Sequence, residues 1–261
     1  MKAAVTTSTL LETAVEASRK AGDLLKDNFG KSIRVDYKGR IDLVTELDFR
    51  SESLILRIIR ERFPGHDILT EESRIPQRGA AYRWIIDPLD GTTSYAHGYP
   101  FFAVSIGVEV NGTIALGVVY NPLLDELFHA VSGGGSFLNG KTIHVSETSE
   151  LDRSLLSTGF PYNIRDYSGK NLDNFNRAVM NSQGIRRDGA AALDLCHVAS
   201  GRNDGFWERG LLPWDVAAGN LLVTEAGGRV TDFRDNETDI FGKELLATNG
   251  LIHGQMVSLL E

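Results

Sequence analysis

Trp84-Ile85-Ile86-Asp87-Pro88-Leu89-Asp90-Gly91-Thr92-Thr93 is an apolar run that ends in two carboxylates three positions apart and then in a Gly-Thr-Thr turn. Trp84, Ile85 and Ile86 form the continuous apolar stretch of a strand covered on both faces, where neither side needs to meet water. Pro88 has no N–H to give, so the ladder is expected to stop there. Asp87 and Asp90 are then delivered at a strand end, the usual address of active sites in sheet-based enzymes. Two carboxylates held this close repel each other unless a divalent cation neutralises them, and their oxygens suit Mg²⁺, Mn²⁺ or Ca²⁺. Gly91, Thr92 and Thr93 offer backbone N–H groups and hydroxyls to an anion. The competing reading is local: Asp-Pro and Asp-Gly are ordinary turn dipeptides in which Asp caps its own backbone.

On either side of this decapeptide the hydrophobic period changes twice. Leu10, Leu11, Ala14, Val15, Ala21, Leu24 and Leu25 recur near helical spacing, which predicts a first helix ending near Phe29-Gly30. A second helical pattern covers residues 45–62, with Pro64-Gly65 as its stop. From Phe101 the period is that of strands: residues 101–110, a turn at Asn111-Gly112, 113–120, a break at Asn121-Pro122, then 126–131, an antiparallel meander. Gly133-Gly134-Gly135 and Asn139-Gly140 read as loop and turn punctuation. The triple glycine follows a hairpin and precedes no helical signal, so it is structural rather than a phosphate cradle. Beyond residue 150 strands and helices alternate, with helices expected within 168–182, over 190–200 and over 213–226. This predicts an α+β subdomain over residues 1–150 and an α/β subdomain over 151–261.

The 261 residues suffice for a large core, and 42% hydrophobic with 24% charged residues is the composition of an ordinary globular protein. A net charge of -8 argues against nucleic-acid binding, but phosphate is still accessible to an acidic protein if metal ions supply positive charge. The single cysteine, Cys196, excludes an internal disulfide and reads as a small buried hydrophobe in a helix. No apolar stretch approaches the length of a membrane span, and the first twenty residues lack the apolar block of a secretory signal, so a cytoplasmic location is expected.

Two further segments carry acids. In Ile68-Leu69-Thr70-Glu71-Glu72-Ser73 adjacent side chains of an extended chain point to opposite sides, so only one of Glu71 and Glu72 can easily join Asp87 and Asp90, and a surface acidic pair is the commoner meaning of Glu-Glu. In Leu211-Leu212-Pro213-Trp214-Asp215-Val216, Pro213 suits a helix start and Asp215 falls in the first turn, where the helix dipole favours a carboxylate. Gly227-Gly228 reads as the stop of that helix.

Asp42-Leu43-Val44-Thr45 with Asp48, Glu71-Glu72-Ser73, residues 84–93 with His97-Gly98, Gly189 with Ala191-Ala192-Leu193-Asp194-Leu195, Gly205-Phe206-Trp207-Glu208, and residues 214–219 with Glu225-Ala226-Gly227-Gly228 span nearly the whole chain in one order. Together they resemble the inositol monophosphatase family of Mg²⁺-dependent, lithium-sensitive phosphatases. The resemblance implies a layered α/β/α/β/α sandwich, an α/β (α+β) fold with the meander in its first half and mixed α/β in its second, and a homodimer. It implies hydrolysis of a phosphate monoester, myo-inositol 1-phosphate first among candidates, without a covalent intermediate. Fructose 1,6-bisphosphate, a nucleotide 3′-phosphate, NADP or histidinol phosphate are the alternatives. A regulatory protein that keeps the fold and engages RNA or the transcription apparatus is a reading of another class.

Two to three Mg²⁺ ions are implied, with Mn²⁺ as a substitute and Ca²⁺ and Li⁺ as inhibitors. Carried over by position, Glu71, Asp87, Asp90 and Asp215 are the side-chain metal ligands and Leu89 contributes its carbonyl, Asp87 bridging two ions. The phosphate resembles one held by the amides of Gly91 and Thr92, and Thr92, with Glu71 or Asp48 nearby, matches the group that orients the attacking water. Asp90, Ala191 and Glu208 match polyol-binding positions, and Arg186 matches a basic position close to the substrate groove. Thr70, Ser94 and Ala190 depart from the common family pattern. The missing hydroxyl at Ala190 bears on the substrate and leaves the metal set untouched.

Overall fold

The computed structural model describes residues 5–161, 164, 170–237 and 239–260. Helix α1 (Thr7–Asn28) starts at a capping box in which Thr6 Oγ1 accepts from the Thr9 N–H at 3.2 Å and the Thr9 hydroxyl accepts from the Thr6 N–H at 3.0 Å. A short antiparallel ribbon, β1 (Val35–Tyr37) and β2 (Leu43–Thr45), leads into α2 (Glu46–Arg62). There the Thr45 N–H and hydroxyl both donate to Asp48 Oδ2, at 2.8 and 2.6 Å.

A seven-stranded sheet follows in chain order: β3 (Asp67–Thr70), β4 (Tyr82–Asp90), then past α3 (Thr92–Ala96) β5 (Ala103–Val110), β6 (Thr113–Asn121), β7 (Glu126–Val131), β8 (Gly135–Leu138) and β9 (Lys141–Thr142). Only β3 and β4 run parallel. The meander therefore extends two strands beyond the expected three, because the glycine-rich punctuation at 133–140 brackets a short real strand. The triple glycine is structural, as expected: Gly133 and Gly135 donate their N–H groups to the Glu225 carboxylate at 2.7 and 2.9 Å.

The expected stop at Pro88 does not occur. Strand β4 continues to Asp90 through a bulge, Asp87 standing opposite Ser105 and Asp90 opposite Ala103, so the missing N–H falls where the ladder is already interrupted. The Ser51 hydroxyl donates to the Pro88 carbonyl at 2.7 Å, which ties the bulge to α2.

The second half comprises β10 (Leu155–Thr158), α4 (Lys170–Asn181), β11 (Gly184–Arg186), α5 (Ala191–Ala199), β12 (Gly205–Arg209), α6 (Pro213–Glu225), β13 (Arg229–Thr231), β14 (Glu244–Thr248) and α7 (His253–Leu260). Its five strands are ordered β11-β10-β12-β14-β13, with β10 parallel to both of its neighbours. Residues 168 and 169, the first of the range expected to hold the third helix, lie outside the described residues.

The layers follow from the faces of the strands. Trp84 and Ile86 enter the core shared with α1 and α2, whereas Ile85 enters the core shared with α5 and α6. The far side of the five-stranded sheet packs Leu156 and Trp207 against Ala178 of α4 and Met256 of α7. The result is the expected α/β/α/β/α sandwich, with α5 and α6 between the sheets.

Helix α6 approaches the larger sheet at a cross-strand glycine pair, Gly107 opposite Gly117. A Cβ on Gly117 would lie 2.7 Å from Ala218 Cα and 2.8 Å from its carbonyl oxygen, so only a glycine lets the helix sit so low. Gly117→Ala is therefore expected to cost about 1–3 kcal/mol, the usual price of overpacking against backbone, read as a lower urea midpoint with an unchanged m value.

Candidate active site

Six chain segments end around one cavity of about 840 Å³. Glu71 follows β3, Asp87, Leu89 and Asp90 close β4, and Gly91 and Thr92 open α3. Ala191 begins α5, Glu208 stands near the end of β12, and Asp215 lies in the first turn of α6; all of these residues line the cavity.

The three aspartates are each held by one backbone N–H. Asp87 Oδ1 accepts from Leu89 at 3.0 Å, Asp90 Oδ2 from Ala192 at 2.7 Å at the start of α5, and Asp215 Oδ2 from Leu212 at 2.8 Å. The second oxygen of each makes no hydrogen bond among the described residues. Burial, and then the charges of Glu71, Asp90 and Asp215, push Asp87 well above the usual carboxylate range. Asp90 is raised by burial and by Asp215, and Asp215 is pushed up to about 7, chiefly by burial. These oxygen-only donors, destabilised by each other's charge, fit a hard divalent cation. Among the described residues no three metal-ligating side chains are already drawn into a cage; the acids border the cavity from separate elements.

Among the described residues, one lysine pairs with an acid of this cluster. Lys38, just beyond β1, donates to Glu71 at 2.8 Å and to Glu72 at 2.7 Å. Burial disfavours its ammonium, but the two carboxylates outweigh that and leave Lys38 above its ordinary value. Glu71 is the member of the acidic pair that lines the cavity, while Glu72 has a side chain only 1% exposed and is pushed up to about 7 by burial and by Glu71. The sequence reading missed Lys38, since a lone lysine beside a loop carries no periodic or motif signal.

Gly91 has φ +90°, and a Cβ there would meet the Phe101 carbonyl at 2.8 Å, so glycine is required where the chain turns from β4 into α3. Of the two acids expected near Thr92, Asp48 is the one bonded: Thr92 Oγ1 lies 3.0 Å from Asp48 Oδ1 and 3.1 Å from the Leu89 carbonyl. Asp48, which closes the capping box of α2 on Thr45, thus also orients the hydroxyl of α3.

Glu208 is pushed up to about 8 by burial and by Asp215, with Arg187 opposing the shift. Arg186 does not line the cavity, whereas Arg187, the next residue, does. Beyond the end of β11 the chain turns, and it is the second arginine that faces inward. Asp194 is a further missed acid: it is buried, one oxygen has no hydrogen-bond partner among the described residues, and burial and Glu208 hold its carboxyl well above the usual range. Cys196 is buried in α5, as expected of a core thiol.

Acids at a strand end and the start of a glycine-led helix share this cavity, and with the family match they make the chain a phosphoric monoester hydrolase. The inositol monophosphatase family pattern matches residues 6–261, and the chain belongs to that family. It is 47% identical over 250 residues to the inositol-1-monophosphatase of Synechocystis sp., a match covering 95% of this chain and 87% of that protein. Inositol monophosphatase from Anabaena (Nostoc) sp. superposes with a TM-score of 0.89 at 46% identity, covering 97% of this chain and 95% of that one. The Nus factor SuhB of Escherichia coli is 42% identical over 243 residues, 92% of this chain and 91% of that protein. Among the described residues no helix is long and apolar enough to cross a membrane.

The raised carboxyls make stability depend on pH in a definite direction. A group whose folded pKa lies above its unfolded value stabilises the fold at low pH, and that contribution is lost as pH rises through the folded value. Metal-free protein should therefore lose thermal stability between about pH 4 and 7 through Asp215, whose value rises from 3.8 to about 7 on folding, with no further loss from this group above that. Asp215→Asn should flatten that slope by up to a few kcal/mol, and Mg²⁺ added at pH 8 should restore stability to the parent more than to the variant; scanning calorimetry across this range and at pH 8 checks this.

Proposed function

We propose that this protein is a Mg²⁺-dependent phosphomonoesterase whose first candidate substrate is myo-inositol 1-phosphate. What carries the reading is the placing of Asp87, Asp90, Asp215 and Glu71 around the same cavity as Gly91 and Thr92. The acids and the Leu89 carbonyl would hold two to three divalent ions, with Mn²⁺ as a substitute and Ca²⁺ and Li⁺ as inhibitors. Bound ions supply two things there, neutralisation of the phosphate dianion and a more acidic water.

The chain's own residues do the rest. The amides at the start of α3 bind phosphate oxygens. Asp48 accepts the Thr92 hydroxyl proton in a hydrogen bond and so fixes the rotamer of that hydroxyl, whose oxygen then orients a water for in-line attack. Glu208, Asp90 and the Ala191 backbone bind the hydroxyls of the leaving alcohol. No side-chain nucleophile is required, and Cys196 is buried away from the cavity wall. Arg187 takes the basic position near the substrate that the family resemblance first assigned to Arg186. We further propose that the protein works as a homodimer.

A second role alongside transcription rests on the name of the Escherichia coli relative. The presence of Glu71, Asp87, Asp90, Thr92 and Asp215 supports the phosphatase reading as primary, and the net charge of -8 disfavours direct RNA contact.

Phosphate release from inositol, sugar and nucleotide phosphates should require Mg²⁺ and vanish on chelation; full turnover in verified metal-free protein would sink the reading. Thr92→Ala should lower kcat by about 10²-fold or more while Mg²⁺ and inorganic phosphate still bind, since only the water-orienting hydroxyl is lost. Parallel loss of phosphate affinity would move Thr92 to a binding role.

Glu208→Gln should reduce discrimination among polyol phosphates and leave metal affinity and hydrolysis of a simple aryl phosphate nearly unchanged. A fall in Mg²⁺ affinity as large as that of Asp215→Asn would instead make Glu208 a metal ligand.

A further inference from the structure

An acid that is to accept hydrogen bonds from a substrate has to be held in place without using the oxygens the substrate needs. The carboxyl group of Glu208 lines the cavity and makes no hydrogen bond among the described residues, and Arg187 acts on it through charge alone. A glutamate free to change rotamer would lose that freedom on binding, at a cost in affinity. What confines Glu208 is shape. Strands β10 and β12 run side by side with Ser157 opposite Phe206 and Thr158 opposite Trp207, and the Thr158 hydroxyl donates to the Trp207 carbonyl at 2.7 Å. One residue further on each strand, Gly159 comes alongside Glu208.

A Cβ on Gly159 would overlap Cδ and both carboxyl oxygens of Glu208, so the carboxyl group occupies the space that a side chain at 159 would take. The φ of Gly159 is not positive, and its backbone conformation is open to other residues; the demand for glycine is one of space. This seat is itself fixed. The Gly159 carbonyl accepts from Nδ2 of Asn171, a buried residue of α4, at 3.1 Å. Gly159 borders the cavity, and Phe160, Pro161 and Ile164 continue the same wall.

We propose that Gly159 is a positioning residue that sets selectivity for the leaving alcohol: by leaving its side-chain space empty it seats the Glu208 carboxyl group with both oxygens free for substrate hydroxyls. This role rests on the reading of Glu208 as a residue that binds the leaving alcohol. The ratio of kcat/KM for myo-inositol 1-phosphate to that for a simple aryl phosphate measures it. Gly159→Ala should lower that ratio about tenfold or more, the usual cost of a lost hydrogen bond to a charged group, while Mg²⁺ affinity measured by calorimetry stays that of the parent. Because the methyl group acts through Glu208, Gly159→Ala combined with Glu208→Gln should lower the ratio no further than Glu208→Gln alone. Should Gly159→Ala fail to fold, adding Glu208→Ala should restore the fold, since the carboxyl group that the methyl overlaps is gone. A ratio that Glu208→Gln leaves unchanged overturns the reading of Glu208, and the role of Gly159 with it. A ratio that Glu208→Gln lowers and Gly159→Ala does not, additive losses in the double variant, or a misfolded Gly159→Ala protein that Glu208→Ala does not rescue overturns the role of Gly159 alone.

Discussion

Like charges held in a dry place organise this molecule. Asp87, Asp90 and Asp215 are all pushed toward neutrality by burial and by one another. A fold built for stability alone would not bring them together, because each would be more stable in water. They persist because each is delivered by an element whose burial is independently secured: β4 by apolar contacts on both faces, and α6 by its seat between the sheets. The backbone N–H groups of Leu89, Ala192 and Leu212 offset a part of the charge without neutralising it. That remainder is what a divalent cation would satisfy, and it ties stability, metal affinity and pH to the same few groups.

Much of this was legible in the sequence. The run of residues 84–86 correctly implied a two-sided strand, and the helices of residues 7–28, 46–62, 191–199 and 213–225 appeared close to their expected bounds. Long periodic segments are readable because each position repeats the same physical demand. Other features were not legible, the β1–β2 ribbon, α3 and β11 among them. β8 lies inside glycine punctuation, β14 and α7 gave no separate signal, and the passage of β4 through Pro88 depends on a bulge fixed by register with β5 and by Ser51 from another layer. The bulge of β4 and the pairing of β14 with β12 depend on partners that periodicity does not encode.

The candidate site divides the same way. Asp87, Asp90 and Thr92 announced themselves through strand-end and turn chemistry, Asp215 became a candidate ligand only through the family resemblance, and all four reach the cavity. Lys38, Asp194 and Arg187 matter only through what the fold sets beside them. Arg187 is the clearest case, since choosing between adjacent arginines requires knowing where a three-residue strand stops and turns. One residue of uncertainty in a strand end reverses the direction of a side chain.

The relative position of the two halves of the acid cluster rests on a contact no motif describes. Asp87 pairs in register with Ser105 of β5, and the Ser105 hydroxyl donates to the carbonyl of Trp214, the residue before Asp215, at 3.3 Å. Two residues further along the same strand is Gly107, where Ala217 of α6 comes down onto the sheet. The serine fixes the first turn of α6 and the glycine fixes its depth, so the spacing between Asp87 and Asp215 is set by packing on β5 rather than by the acids themselves. A site whose ligands repel cannot rely on those ligands for its shape; the shape has to come from neighbours that carry no charge.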